Sequence, residues 1–388
     1  QKINFKINDD INLVYGLYYS KSSNIPRYDR LTLYNNMFLP NYAEWYYGPN
    51  LFLMNKIKIN YFMKNKFFDA FKLNISKQNL EESRNSRRFN DIYIKKREEK
   101  ISIYTFNLDF DNKKNNSEYF YGYELYTNKI NSDGFEKNII TNAKNEISTR
   151  YPDNGTNYII NSLYISYKKI NKKINYNLGL RGTNTNLKSK ISNSFFNFPY
   201  SEIKLNTTSL SGNMGINYNY SENSFLKFLY SNGFRAPNLD DVGKIFDSEP
   251  GNIIIPNANL NAEYANNFEI NFITKKNNLE FNTSIYYTKL NNVIIRSDGT
   301  FNGLDSIMYD DRLSKVQTLI NSGKAYVYGF SYMIKYKINN NIELKSTLSY
   351  NQSKDFSTNK SLRHSSPLFG KTLITYSNRN LKINYYLN

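Results

Sequence analysis

The chain has no cysteine, one histidine and one tryptophan among its 388 residues. Without thiols there is no disulfide framework and no thiolate metal site. One histidine without cysteine closes most hydrolytic designs, leaving only carboxylate or Ser/Lys chemistry as a formal route. No nucleophile–base arrangement, Gly-rich phosphate loop or metal-ligand spacing is present, so an enzyme is not expected. No run approaches the about 18 apolar residues of a membrane-spanning helix, which excludes a helical membrane protein. The chain opens on Gln1 with neither Met nor an apolar leader, which reads as processing or truncation.

Acidic residues are also scarce, 33 against 51 basic ones, for a net charge of +18. A nucleic-acid-binding surface would gather its positive charge in one place. Here Lys and Arg are scattered singly along strands and turns, with only short runs such as Lys168-Lys169 and Lys172-Lys173. An even, Lys-, Asn- and Ile-rich composition accounts for that, and no nucleic-acid partner is expected. A basic nucleic-acid-binding β protein stays as the remote rival.

What the chain has in quantity is Tyr (36) and Phe (26), set in alternation with polar residues. Leu163, Ile165 and Tyr167 oppose Ser162, Ser166 and Lys168. Tyr328, Phe330, Tyr332 and Ile334 oppose Gly329, Ser331 and Lys335. Period-2 patterns mark strands with one apolar face. About sixteen such segments follow one another, and each short turn (Asp9-Asp10, Asn171 to Lys173, Asn339-Asn340) is followed by a longer loop. The long loops run at about 23–50, 132–156, 188–205, 234–262, 291–317 and 354–366, the last holding His364 as a surface-loop residue; a polar loop is also expected near 81–91 and one strand-like segment over 318–338. The fold class is therefore all-β, a transmembrane antiparallel β-barrel with a wet lumen. Only a closed sheet satisfies every strand N–H and C=O within hydrocarbon. Ile216, Tyr218, Phe330 and Tyr332 should point outward, and Asn217 and Ser331 inward.

The longest interruption is bracketed by two motifs, FRAPNLDD at 234–241 and PNANL at 256–260. These resemble the FRAP and NPNL-like boxes that flank one large extracellular loop in TonB-dependent outer-membrane receptors. The resemblance implies the central part of a 22-stranded barrel, sixteen strands of it present, with no plug domain in this chain. It also implies a bacterial outer-membrane location, with lipid and lipopolysaccharide as neighbours. The implied activity is uptake of a scarce, bulky nutrient such as a metal chelate, siderophore or corrinoid. Energy would come through a TonB-type protein pulling on a plug that this chain lacks. No cofactor is implied. A histidine lies between the boxes in haem receptors of this family, and none lies between Phe234 and Leu260. The rivals are a complete sixteen-strand diffusion pore and a truncated, non-transporting remnant of a receptor.

Several residues carry the site reading. Arg235 either meets an anionic ligand or anchors Asp240 or Asp241 at the loop base. Asn238, Asp240 and Asp241 are candidate ligand contacts. With Asp247 and Glu249, the two aspartates form an oxygen-donor set that matches no EF-hand spacing and reads as a solvated acidic loop. Phe234, Pro237, Pro256, Asn257 and Leu260 form the loop base. Tyr42, Trp45, Tyr46 and Tyr47 either grip a planar ligand or top the lipid-facing girdle. The excess of basic residues on polar faces favours an anionic small molecule. Far-ultraviolet circular dichroism of the detergent-solubilised protein is expected to be dominated by β-structure, and a helix-dominated spectrum would overturn the fold.

Overall fold

The computed structural model describes residues 1–388 except Asn193, Pro250, Asp310, Asp311, Ser322, Ser357, Thr358, Arg363 and His364. For 246–249 it describes the backbone alone, so the readings of His364 and of the Asp247 and Glu249 side chains lie outside the described residues.

Sixteen strands pair in an unbroken antiparallel series, each with its neighbours in sequence order. The series begins with Lys2–Lys6 and Ile11–Lys21 and ends with Phe369–Ser377 and Lys382–Leu387. Its terminal strands, Lys2–Lys6 and Lys382–Leu387, are each paired on one side only and are exposed along their whole length.

The register explains why alternation is so strict. Tyr167, Leu178, Met214, Tyr230, Phe268, Tyr287 and Tyr328 stand opposite one another in seven consecutive strands. One residue along, the matching row is Ser166, Gly179, Asn213, Ser231, Asn267 and Thr288. A one-residue slip would exchange a row of rings for a row of amides and hydroxyls, so one apolar surface fixes every pairing. Tyr218 and Phe330 are exposed on the apolar face, which Ile216 and Tyr332 share through the register Ile216–Phe228–Ile270–Ile285–Phe330 and its neighbour. Asn217 and Ser331 fall on the polar face. There Tyr164 lies flat over Gly122, where an added Cβ would sit 2.6 Å from the phenol oxygen.

At the short-turn end the hairpins are tight, as at Asn115-Asn116 and Asn277-Asn278, where Asn115 and Asn277 take positive φ. At the other end two boundaries differ from the sequence expectation. The polar stretch at 81–91 is not a loop: strand Ala70–Arg88 runs on through it and pairs with Tyr93–Lys114, which pairs in turn with Ser117–Asn138. Both faces are polar there, so no period was visible. Residues 318–338 are not one strand. Arg312–Asn321 belongs to a second sheet and Lys324–Lys337 to the wall. The long loops also hold two one-turn helices, Tyr28–Leu31 and Leu239–Val242.

The hydrophobic core lies in the loops. Phe246–Glu249 and Asn252–Ile255 from one loop join Ile294–Asp298, Ser306–Tyr309 and Arg312–Asn321 from the next in a five-stranded sheet. Its centre is the parallel pairing of Asn252–Ile255 with Arg312–Asn321. Val242, Ile253 and Val316 are fully buried there, packed with Phe198, Leu239, Ile245, Leu260 and Tyr309. Leu187 and Ile203, from the inner face of the adjoining wall strands, complete the cluster, so the loops form a cap folded against the inside of the mouth. Each such side chain contributes about 1.5–3 kcal/mol on burial.

Ile285, 61% exposed at mid-strand, is the position of choice for testing the outer face. Ile285→Arg in the refolded protein in liposomes is expected to cost about 2–4 kcal/mol in denaturant unfolding. Ser331→Thr on the inner face should change stability by less than about 0.5 kcal/mol.

Candidate functional site

The site begins where strand Ser224–Arg235 leaves the sheet. Pro237 has no N–H for the ladder and is almost fully buried, so the chain turns away. Asn238 caps the helix Leu239–Val242: its side chain accepts from the Asp241 N–H (3.1 Å), and the Asp241 carboxylate accepts from the Asn238 N–H (3.0 Å). That reciprocal pair holds a single turn that would not form alone. The same carboxylate accepts from Arg235 Nη1 at 2.7 Å. Arg235 Nε donates to Glu263, the first residue of the returning strand, and Glu263 also accepts from the Ile294 N–H. One guanidinium therefore ties the departing strand, the helix, the returning strand and the next loop. Burial pulls the Arg235 pKa down, but Glu263 and Asp241 outweigh it and hold the guanidinium firmly charged.

Asp240 turns the other way. It accepts from the Tyr151 hydroxyl and from Lys244 Nζ (3.0 Å). Burial pushes its carboxyl up, yet these two hydrogen bonds leave it below the ordinary value. Tyr151 is raised by burial and by Asp240. The preceding residue, Arg150, is buried, and its carbonyl accepts from the Ile245 N–H at 2.9 Å. Glu99, 3% exposed on the inner face of strand Tyr93–Lys114, is pushed up by burial against the pull of Arg150, Arg84 and Arg97. Arg97 in turn donates to the Ser148 carbonyl (2.9 Å). A band of charge thus fastens the cap to the wall.

The remaining loop-base residues hold the cap together. The Pro256 carbonyl accepts from the Tyr200 hydroxyl at 3.1 Å, and burial raises the Tyr200 pKa to about 12. Asn257 donates to the Leu319 carbonyl (2.7 Å) and Leu260 lies in the core. Phe234 packs against Tyr264. The aromatic group of the first loop splits. Strand Tyr42–Tyr47 pairs with Ala70–Arg88 so that Tyr42, Trp45 and Tyr47 oppose Arg88, Ser86 and Arg84 on the inner side, while Tyr46 opposes Asn85 on the outer. Among the described residues no hydrogen bond or ring contact joins these residues to Arg235.

A void of about 30 Å³ inside the cap, lined by Tyr151, Phe196, Phe198 and Pro256, has room for water only. A larger cleft of about 620 Å³ opens beside it, between Ser132, Phe135, Lys144 and Phe195. Among the described residues no group of three or more His, Asp or Glu is placed to hold a metal ion.

The model of the β-barrel of TonB dependent receptor-like proteins matches residues 2–387. The chain belongs to the TonB-dependent receptor family. Barrels of this family are proteins of the bacterial outer membrane. The receptor chain is similar in fold to the copper transporter OprC, with a TM-score of 0.76 at 12% identity, over 99% of this chain and 56% of that one. It is similar to the siderophore receptor PirA from Acinetobacter baumannii at TM-score 0.68 and 14% identity, over 99% and 57%. It is also similar to the ferric yersiniabactin uptake receptor FyuA from Yersinia pestis, at TM-score 0.59 and 10% identity, over 99% and 57%. The chain spans little more than half the length of these structures. No curated protein matches it.

Sequence reasoning offered Asp240 or Asp241 for Arg235 and missed Glu263, which the motif itself does not contain. It also missed Tyr151, Lys244, Glu99 and Arg150, which come from three separate segments; only the acid pair after FRAP hinted that two partners were needed.

Arg235→Ala is expected to loosen the cap by about 1–2 kcal/mol, a modest figure because the guanidinium is nearly half exposed. Hydrogen exchange at 239–245 should rise roughly five- to thirtyfold while the wall strands stay protected. Asp240 adds a pH dependence. Its lowered pKa means that its anchoring is fully present above the ordinary value of 3.8 and is lost as the pH falls through the lowered one. Exchange at 239–245, corrected for intrinsic rate, should therefore accelerate below about pH 4, and Asp240→Asn should remove that acceleration.

Proposed function

We propose that this chain forms the wall and the ligand-gathering cap of an outer-membrane receptor. That receptor imports a scarce, bulky nutrient of the metal chelate, siderophore or corrinoid type, energised through a TonB-type partner. The observation that carries this reading is the cap: three loops share one hydrophobic core and fold inward across part of the mouth. A passive pore works by keeping its lumen open, whereas a receptor needs a shaped, rigid outer surface that holds a ligand before it is moved. In this reading Arg235 and Asp241 position the cap, and Asn238, Asp240 and the inner aromatic residues Tyr42, Trp45 and Tyr47 border the ligand.

Sixteen is an acceptable strand number for a complete pore, but the terminal strands here do not pair with each other. Each free edge would leave unmatched N–H and C=O groups in hydrocarbon. Closure of the barrel therefore calls for further strands between them, which favours a larger receptor barrel.

Excising 238–255 should abolish ligand capture while the barrel folds. It also removes Leu239, Val242, Ile245, Ile253 and Ile255 from the shared core, so the neighbouring loops at 188–205 and 291–317 should lose protection with it. The deciding measurement uses the full-length receptor. In a planar bilayer it is expected to show no steady conductance, and in cells its uptake should stop when the proton-motive force is collapsed. Steady conductance without an energising partner would establish a pore.

A further inference from the structure

We propose that Glu99 is a proton-linked latch of the cap. The cap closes over the neutral carboxyl, and loss of its proton to solvent loosens the strap at 148–151 and, through it, the cap helix Leu239–Val242. The latch concerns the cap as a moving part, and its test stands apart from the choice between receptor and pore.

The strap is tied on both sides. Toward the wall, Arg97 Nε donates to the Ser148 carbonyl at 2.9 Å and Arg97 Nη2 to the Ser148 hydroxyl at 3.4 Å. Toward the cap, the Ile245 N–H donates to the Arg150 carbonyl at 2.9 Å, and the Tyr151 hydroxyl donates to Asp240. Glu99 stands on the inner face of strand Tyr93–Lys114, opposite Glu82 on one side and Ser132 on the other. Within the band that fastens cap to wall, it is the member without a bond. Its side chain is buried, and neither carboxylate oxygen has a hydrogen-bond partner in the protein. Two other buried atoms share that condition, Ser132 Oγ and Arg150 Nε. The Arg150 guanidinium lies instead against the Tyr151 ring, 5.3 Å from its centre.

A buried carboxylate that receives no hydrogen bond is strongly unfavourable, and the neutral acid is much less so. The described groups that face Glu99 are Arg150 from the strap, Arg84 and Glu82 from strand Ala70–Arg88, and Arg97 from its own strand. Burial outweighs the three cations and raises the Glu99 pKa above its ordinary 4.5, with Glu82 adding to the rise. Tyr151 also feels Glu99, but burial and Asp240 keep that phenol neutral throughout. Arg84 is bonded to Glu82 at 2.8 Å and Arg97 to Ser148. Arg150 Nε, without a partner of its own, is the donor that an ionised Glu99 draws. Drawing it shifts the residue whose carbonyl ties the strap to Ile245 and whose neighbour Tyr151 holds Asp240. Closure therefore raises the proton affinity of Glu99, and protonation favours closure. That contribution is complete below 4.5 and is lost as the pH rises through the raised value. Asp240 has the opposite sign, so the cap is tightest in mild acid, between the two.

The test uses the full-length protein in detergent. Hydrogen-exchange protection factors, in which the intrinsic rise of exchange with pH cancels, are measured from about pH 5 to about pH 8. Protection at 148–151 and 239–245 is expected to fall by at least about fivefold across that range. Its slope should not exceed about tenfold per pH unit, the limit for one linked proton. Wall strand Thr156–Lys169 should keep its protection. Glu99→Gln should give a flat profile at the level that the wild type reaches in mild acid. Glu98→Gln, on the opposite face of the same strand beside Lys96 and Lys100, should keep the wild-type slope. If Glu99→Gln fails to fold, judged by heat-modifiable gel mobility, Glu99→Met replaces it, similar in length and without a proton to lose. A flat wild-type profile overturns the proposal. So does a slope that persists in the Glu99 variant, where every other acid, those at 247, 249, 310 and 311 included, is still in place. Lower protection in the variant than in the wild type at neutral pH overturns it as well, because an ionised Glu99 would then be holding the strap closed through Arg150.

Discussion

Every strand of the wall is bound by one rule: a backbone N–H or C=O placed in hydrocarbon must find its partner within the sheet. That rule makes the antiparallel ladder continuous over sixteen strands and confines side-chain choice to two faces. Because the faces differ so sharply, register is set by solvent preference and not by any individual contact. The row from Tyr167 to Tyr328 and the row from Ser166 to Thr288 are the two halves of one decision. Where a large side chain must point inward, glycine on the next strand makes room, as Gly122 does for Tyr164 and Gly329 for Tyr286.

Beyond the lipid the rule relaxes and a different economy takes over. The strands Ala70–Arg88, Tyr93–Lys114 and Ser117–Asn138 continue with polar residues on both faces. The apolar residues that a soluble protein would bury in its centre are gathered instead in the cap, around Ile253 and Val316. The cap cannot draw on the ladder for its position. It depends on Arg235 at its root, on the band from Glu99 to Asp240 at its flank and on the apolar contact with Leu187 and Ile203, so its placement is electrostatic as well as hydrophobic.

The sequence made the barrel legible because lipid imposes period 2, and Leu163, Ile165 and Tyr167 could hardly be read otherwise. It made the loops legible only as interruptions. The run Ile253-Ile254-Ile255 carried the signal of a strand buried on both faces, and Pro250 and Pro256 beside it pointed to a bounded element. Its partner Val316 could not be foreseen, since a parallel pairing between two loops leaves no local trace. The division of Tyr46 from Tyr42, Trp45 and Tyr47 was equally hidden. It follows from a register shift between Tyr42 and Glu44, which displaces the alternation by one residue. FRAPNLDD marked the root of the cap correctly, while Glu263 and the charged flank belong to segments that meet only in space.

The parallel pairing at the centre of the cap has a kinetic consequence. Ile255 and Thr318 lie 63 residues apart, and the hairpin of Glu263–Lys276 with Leu279–Asn291 stands between them in the chain. Their strands can meet only after that hairpin has crossed the sheet and returned both loops to the same end. Closing a loop of that length before the hairpin is in place would cost entropy that four paired residues cannot offset. The parallel pairing of the cap therefore follows that hairpin, and until it forms Ile253, Ile255 and Val316 lack the partners that bury them. A wall assembled with a missing or slipped strand would never bury them, which makes the cap a readout of whether the barrel beneath it was built correctly.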